Sequence, residues 1–185
     1  MKSGVLILFV CFILLVFCPI GLAAEKVYHI GPGDVIEISV WKDPDLSRNL
    51  TVPPDGIIAF PLIGSINTAK VTVPELKKIV TQRLSEFIPD VTVTVMLIEI
   101  NNLKAYVIGK VNVPGEFEID MDSNVMQILA KAGGLNPFAS AGNIKILRQQ
   151  DNQIINIPFN YGQVEKGKNL EQNILLKAGD VVVVP

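Results

Sequence analysis

The sequence lacks the side chains on which most enzymes and metal proteins depend. Its 185 residues include one histidine, His29, and two cysteines, Cys11 and Cys18, which both lie near the amino terminus. Such a chain offers no His/Cys set that would hold a metal ion. A Ser-His-Asp triad would have to use His29, and no Gly-x-Ser-x-Gly motif accompanies it. We therefore expect no catalytic residue, no metal site and no cofactor.

Charge is also scarce and nearly balanced. Charged residues make up 18% of the chain, and 16 basic against 18 acidic residues give a net charge of −2. No basic cluster is present to meet a phosphate backbone, so we expect no nucleic-acid partner. A hydrophobic content of 49% excludes a disordered chain. The length fits one or two small domains.

The apolar excess is concentrated at the amino terminus. Residues 4–24 contain no charged side chain and follow a short positive leader with Lys2. Pro19 interrupts the apolar run, and residues 21–24 are mostly small, as at a cleavage site. The pattern predicts a signal peptide over residues 1–24. The exported chain then has no cysteine and depends on core packing instead of disulfides.

Two alternatives to cleavage remain open. The same apolar run is long enough to stay in the membrane as an anchor. A lipoprotein would need small residues before an acylated cysteine. Bulky Phe17 before Cys18, and Val10 before Cys11, argue against lipidation.

The first half of the chain, residues 25–102, has the pattern of strands around one helix. Gly31-Pro32-Gly33-Asp34 suits a type II turn before a strand that ends at Trp41. Thr72 and Glu75 form a capping box for a helix that ends before Pro89. The helix has an apolar stripe of Leu76, Ile79, Val80, Leu84 and Phe87. Residues 91–97 alternate strictly, which predicts valines in a core and Thr92 and Thr94 facing water or a neighbouring subunit.

The second half, residues 103–185, has shorter elements. Strands are predicted over 105–109, 144–147, 154–157 and 181–184, with a turn over 113–116. Asn124 and Gln127 cap a helix over 125–132 that ends at Gly133-Gly134. The order of elements predicts an α+β fold. Gly179-Asp180 before a strand repeats Gly33-Asp34, which indicates either an old duplication or the same turn used twice.

Several residues invite a chemical role that the sequence does not favour. Asp43, Asp45 and Asp55 lie near turn signals and have no carboxylate partner at a catalytic spacing, so we expect them to form turns. Trp41 is the lone tryptophan. Packing in a core or against a subunit is favoured over stacking on a sugar.

The ordered motifs resemble a known family. The segment from Tyr28 to Trp41 closely resembles the opening of the outer-membrane polysaccharide export family, the Wza-like proteins, and residues 51–56, 60–64 and 72–84 resemble its next elements. Residues 107–115, 124–134, 146–148 and 177–185 resemble a soluble-ligand-binding β-grasp (SLBB) module. The motif residues, with structural roles, are Tyr28, Gly31, Pro32, Gly33, Asp34, Trp41, Pro114, Gly115, Gly133, Gly134, Gly179 and Asp180.

The resemblance implies a polysaccharide export domain over residues 25–102, mixed α/β in structure, and an SLBB domain over 103–185. It implies a non-enzymatic role in exporting capsular or exopolysaccharide, with location in the periplasm or outer membrane of a Gram-negative bacterium. Family members form rings, so the expected partners are further copies of the chain, the polysaccharide, an outer-membrane channel protein and an inner-membrane polysaccharide co-polymerase.

Long family members carry more β-grasp repeats and a carboxy-terminal amphipathic helix. This sequence stops directly after a strand at Pro185, so we expect a ring or adaptor that works with a separate outer-membrane channel. Thr92 and Thr94 would offer weak hydrogen bonds to a sliding chain if they faced a passage. The alternatives are a monomeric periplasmic carbohydrate-binding protein and an envelope enzyme acting on polysaccharide.

Overall fold

The computed structural model describes residues 27–151 and 153–185. The predicted signal peptide, residues 1–24, and both cysteines lie outside the described residues. The described chain is α+β, as predicted, and has two lobes with separate hydrophobic cores. We call residues 27–102 the N-terminal lobe and residues 103–185 the C-terminal lobe.

The N-terminal lobe packs one helix and a hairpin against a small antiparallel sheet. The sheet has the order β2-β1-β5, formed by Asp43–Thr51, Val35–Val40 and Val93–Glu99. The hairpin consists of β3 (Ile57–Phe60) and β4 (Gly64–Asn67), and helix α1 spans Val73–Leu84. The core joins the inner sheet face to the helix and hairpin through Ile36, Ile38, Val40, Val93, Val95, Leu76, Val80, Leu84, Ile58, Phe60 and Ile66.

The C-terminal lobe is built on a five-stranded sheet of order β7-β6-β10-β8-β9. Its strands are β6 (Lys104–Gly109), β7 (Gly115–Glu118), β8 (Ile144–Gln150), β9 (Gln153–Phe159) and β10 (Val181–Val184). The central β6–β10 pair is parallel and the other pairs are antiparallel. Helix α2 (Val125–Lys131) contributes to the core; α3 (Tyr161–Glu165) and a 3-10 helix (Leu170–Gln172) lie between β9 and β10.

The structure also corrects the sequence interpretation. Asp43 and Asp45, predicted to form turns, lie in β2, which the sequence did not indicate. Phe87 lies beyond the end of α1 and is exposed, so it does not belong to the core stripe. Residues 115–116, predicted as part of a turn, begin β7. Asp55 does stabilise a turn, because its carboxylate accepts a hydrogen bond from the Ile57 amide at 3.0 Å.

The capping box of α1 is formed as predicted. The Thr72 hydroxyl oxygen accepts from the Glu75 amide at 3.3 Å, and the Glu75 carboxylate accepts from the Thr72 amide at 2.8 Å. The Thr72 hydroxyl also donates to the Glu75 carboxylate at 2.8 Å, and the hydrogen bonds from the Thr72 amide and hydroxyl hold the pKa of the Glu75 carboxyl below its ordinary value. Stabilisation by the carboxylate is therefore present above the ordinary glutamate pKa and is lost as the pH falls through the lowered one.

Replacing Thr72 by alanine is expected to lower the free energy of unfolding by about 1 kcal/mol, because the Glu75 amide loses its acceptor and the Glu75 carboxylate loses one of its two donors. Urea denaturation at neutral pH measures the loss. Thr72→Ser keeps the hydroxyl and serves as the control, with a loss well below that of alanine. Equal losses in both variants would show that the methyl group of Thr72, not its hydroxyl, stabilises the helix start.

Candidate functional site

Asp34 lies at the centre of the turn that carries the strongest sequence motif. Its side chain is fully buried, and one carboxylate oxygen accepts from the Tyr28 hydroxyl and from the Gly31 amide at 2.8 Å. The other oxygen accepts from the amides of Asn101 and Asn102, both at 3.0 Å. Because Asn101 and Asn102 form the connection to the next lobe, this one carboxylate joins the turn, Tyr28 and the connection.

Tyr28 is a partly buried donor in this network. Burial raises the pKa of its hydroxyl, and the hydrogen bond to the Asp34 carboxylate and its negative charge raise it further. The phenol therefore stays protonated at neutral pH and keeps donating to Asp34. Gly31 lies directly against the connection, since a Cβ at this position would overlap the Asn102 side chain.

The same turn recurs in the C-terminal lobe around Asp180. Gly33 and Gly179 both have positive φ, at 90° and 82°, a conformation that glycine adopts without strain. The Asp180 carboxylate accepts from the Lys177 amide at 2.8 Å, just as Asp34 accepts from Gly31 three residues earlier. The repeated Gly-Asp in the sequence thus marks one turn geometry used in both lobes.

Asp180 differs from Asp34 in having a cationic partner. The Arg148 guanidinium donates to both carboxylate oxygens, at 2.9 and 2.6 Å, and to the Leu175 carbonyl at 2.8 Å. Asp180 is 1% exposed and the Arg148 side chain 12% exposed. The two form a bidentate, largely desolvated ion pair at the base of the last strand.

A mostly apolar groove lies where the lobes meet. It has a volume of about 440 Å³, and the N-terminal lobe lines it with Val27, Tyr28 and His29. The C-terminal lobe contributes Met121, Leu175, Leu176 and Lys177. His29 is therefore a groove residue beside the connection.

Trp41 lies just after β1 and is 72% exposed, so a position in the core is excluded. Its amide donates to the Thr92 carbonyl at 2.9 Å, which places it at the end of the three-stranded sheet. Thr92 and Thr94 are exposed, as predicted. On the outer sheet face Thr94 pairs with Ser39, and Met96 pairs with Glu37.

The remaining motif residues meet at one edge of the C-terminal lobe. Gly133 and Gly134 follow the end of α2, and the Asn112 side-chain amide donates to the Gly133 carbonyl at 2.6 Å. The Asn112 backbone amide donates to the Gly134 carbonyl at 3.1 Å. These bonds hold the turn before Pro114 and Gly115 against the helix end. Pro114 and Gly115 are themselves exposed.

The motif residues therefore form two turn clusters, one helix end and one exposed tryptophan. Pro32 and Gly179, one from each turn, line the same pocket beside Asn101 and Asn102, and the other motif residues do not line it. Within residues 27–151 and 153–185, no three His, Cys, Asp or Glu side chains group closely enough to hold a metal ion. In the same part of the chain, none of the helices has the length and apolar content needed to cross a membrane.

Sequence reasoning missed the partners of both buried aspartates. In the sequence, Asn101-Asn102 is visible only as a polar interruption between apolar segments. The groups that bind Asp34 are the backbone amides of these residues, which the side-chain pattern does not indicate. Arg148 had a clearer signal. It follows the buried residues Ile144 and Ile146 on the same face of its strand, and a cation in that position requires an acidic partner.

Comparison with known proteins identifies two domains in order along the chain. Residues 22–97 match the model of the polysaccharide biosynthesis/export protein family, and residues 103–184 match that of the SLBB domain. The EPS I polysaccharide export outer membrane protein EpsA of Ralstonia nicotianae is 27% identical over 188 residues, covering 88% of this chain and 48% of EpsA. EpsA of Ralstonia solanacearum is also 27% identical, with 49% of its length covered.

A second kind of relative covers less of the chain. The polysialic acid transport protein KpsD of Escherichia coli is 32% identical over 111 residues, which cover 60% of this chain and 20% of KpsD. The chain thus spans about half the length of the EpsA proteins and a smaller part of KpsD.

Proposed function

Because the chain belongs to the polysaccharide export protein family and carries an export domain followed by an SLBB domain, we propose that it is a ring component of a polysaccharide translocation apparatus. Its cargo is a capsular or exopolysaccharide, and it acts without catalysing a reaction. The observation that carries this proposal is the ordered pair of domains, together with EpsA and KpsD, which are named for polysaccharide export and transport.

The proposed location is the periplasm or the outer membrane of a Gram-negative envelope, with a cleaved signal peptide over residues 1–24. The EpsA relatives are named outer membrane proteins, which supports an envelope location. The proposed partners are further copies of this chain, the polysaccharide, an outer-membrane channel protein and an inner-membrane polysaccharide co-polymerase. The proposed domain limits are residues 25–102 and 103–185.

The arrangement of motif residues supports a passive role. The buried aspartates Asp34 and Asp180 are fully engaged in hydrogen bonds that hold turns and the connection between lobes. A protein that guides a sliding polymer needs a rigid shape and weak, exchangeable contacts, because tight binding would hold the cargo in place. Two small lobes do not enclose a passage alone, so head-to-tail contacts that close into a ring would be needed.

A strain lacking this chain is expected to lose its surface polysaccharide and to accumulate polymer in the periplasm. Staining of intact cells and analysis of the periplasmic fraction measure the two effects. Complementation with the wild-type chain restores export, and complementation with His29→Ala restores it equally, since catalysis plays no part. A fully coated deletion strain would contradict the proposal.

The main alternative is a monomeric periplasmic carbohydrate-binding protein, for which the exposed Trp41 offers a stacking surface. Native mass and oligosaccharide titration separate the two functions. A ring component forms multimers and binds oligosaccharide weakly. A chain that stays monomeric at micromolar concentration and binds an oligosaccharide tightly through Trp41 would favour the alternative.

A further inference from the structure

Two oppositely charged surfaces lie on different layers of the N-terminal lobe. We call the outer face of the three-stranded sheet, with Glu37, Met96, Ile98 and Glu99, the sheet surface. We call the solvent side of α1, with Lys77 and Lys78, the helix surface. The core lies between the two layers, so the two surfaces point away from each other.

The sheet surface combines exposed apolar side chains with two acids. Met96 is 45% exposed and Ile98 is 47% exposed. Glu37 pairs across the strands with Met96, and its carboxylate accepts from the Ser39 hydroxyl at 2.8 Å. The Glu99 carboxylate accepts from the Asn101 side-chain amide at 3.1 Å. Among the described residues, neither acid has a cationic partner.

The edge of this sheet also indicates that the surface is covered by another chain. Strand β5 forms an edge and contains no Lys, Arg or Pro, the residues that usually prevent edge strands from pairing. The hairpin strands β3 and β4 also lack these residues but are only four residues long, and the other edges of the two larger sheets are protected. Strand β2 contains Pro44, β9 contains Pro158, and the four-residue β7 carries two glutamates.

The helix surface has the complementary charge. Lys77 and Lys78 are exposed neighbours on α1 and line a shallow groove with Pro74, Thr81 and Gln82. In the part of the chain that the structure describes, no carboxylate lies within ion-pair distance of either ammonium. Their long aliphatic stems offer apolar area to side chains such as Met96 and Ile98 while the charged ends meet acids.

We propose that the sheet surface of one copy binds the helix surface of the next copy. The occupant is a second copy of this chain because both halves of the contact are present on one lobe and match in charge. Since the halves differ and face away from each other, the contact is head-to-tail, the type that closes into rings. This inference rests on the ring proposed above and names its interface. It also assigns Thr94 to the subunit contact instead of a passage.

Charge reversal on both sides tests the pairing. Glu37→Lys/Glu99→Lys makes both surfaces basic, and Lys77→Glu/Lys78→Glu makes both acidic. In each variant alone, every contact between copies brings together surfaces of like charge. The protein concentration needed for assembly is therefore expected to rise by about tenfold or more. In an equimolar mixture every contact joins opposite charges, so assembly returns as an alternating multimer larger than a dimer. Light scattering at low salt measures the masses.

A matched control reverses two exposed lysines of the C-terminal lobe, Lys166→Glu/Lys168→Glu, and assembles like wild type. Circular dichroism verifies that each variant is folded. Folded variants that assemble like wild type, a mixture that stays dissociated, or a mixture that stops at a dimer would each overturn the interface while leaving the ring intact. A wild-type chain that stays monomeric would overturn the ring and the interface together.

Discussion

Replacement of Asp34 by alanine is expected to lower the free energy of unfolding by about 4 kcal/mol, because a buried carboxylate that accepts four hydrogen bonds is removed. The Gly31, Asn101 and Asn102 amides lose their acceptor in a site where the aspartate itself is 0% exposed. Urea denaturation measures the loss. Hydrogen exchange at Asn101 and Asn102 is expected to accelerate as well.

Asp55→Ala is the matched control for this prediction. Asp55 is exposed and its carboxylate accepts from one amide, that of Ile57. Its loss is expected to cost about 1 kcal/mol or less. If Asp34→Ala destabilised the protein no more than Asp55→Ala, the network around Asp34 would contribute no more to stability than one exposed turn. Asp34→Asn keeps acceptor capacity for two amides and is expected to fall between the two.

Replacement of Arg148 by leucine is expected to destabilise the C-terminal lobe by about 3–5 kcal/mol, because the Asp180 carboxylate stays buried without its cation. The Leu175 carbonyl loses a donor in the same change. Thermal unfolding followed by circular dichroism measures the effect. Arg148→Lys keeps the charge but not the bidentate geometry, so its loss is expected to be smaller than that of leucine.

The exposed ion pair of the same lobe provides the contrast. Lys104 and Glu116 lie 2.8 Å apart, with side chains 36% and 45% exposed. Lys104→Ala is expected to destabilise the lobe much less than Arg148→Leu, because water already solvates both charges. An equal loss from Lys104→Ala and Arg148→Leu would contradict the argument that burial decides the strength of these pairs.

Local signals in the sequence were sufficient for the elements that they specify. Both capping boxes form, at Thr72 with Glu75 and at Asn124 with Gln127. Strand β10 covers the four valines predicted from the last apolar run. In these cases the pattern of neighbours in the sequence contains the physical cause of the structure, so no tertiary information was needed.

Other features depend on distant residues, and no local pattern of residues indicates them. Strand β2 has a single buried residue, Leu46, so its apolar alternation is absent, and it forms because β1 offers backbone partners. The amides that bind Asp34 come from residues 67 and 68 positions later. Phe87 looked like a core residue because the helical spacing was extended past Leu84, where the helix ends.

The hydrogen bonds from two successive amides to Asp34 have a mechanical consequence. The two amides lie at the point where the C-terminal lobe begins, so one side chain ties the start of that lobe to the N-terminal lobe. In the proposed ring, the orientation of one lobe relative to the other would depend on this contact. The diameter of the ring's opening would then depend on a contact within each monomer as well as on the contacts between copies.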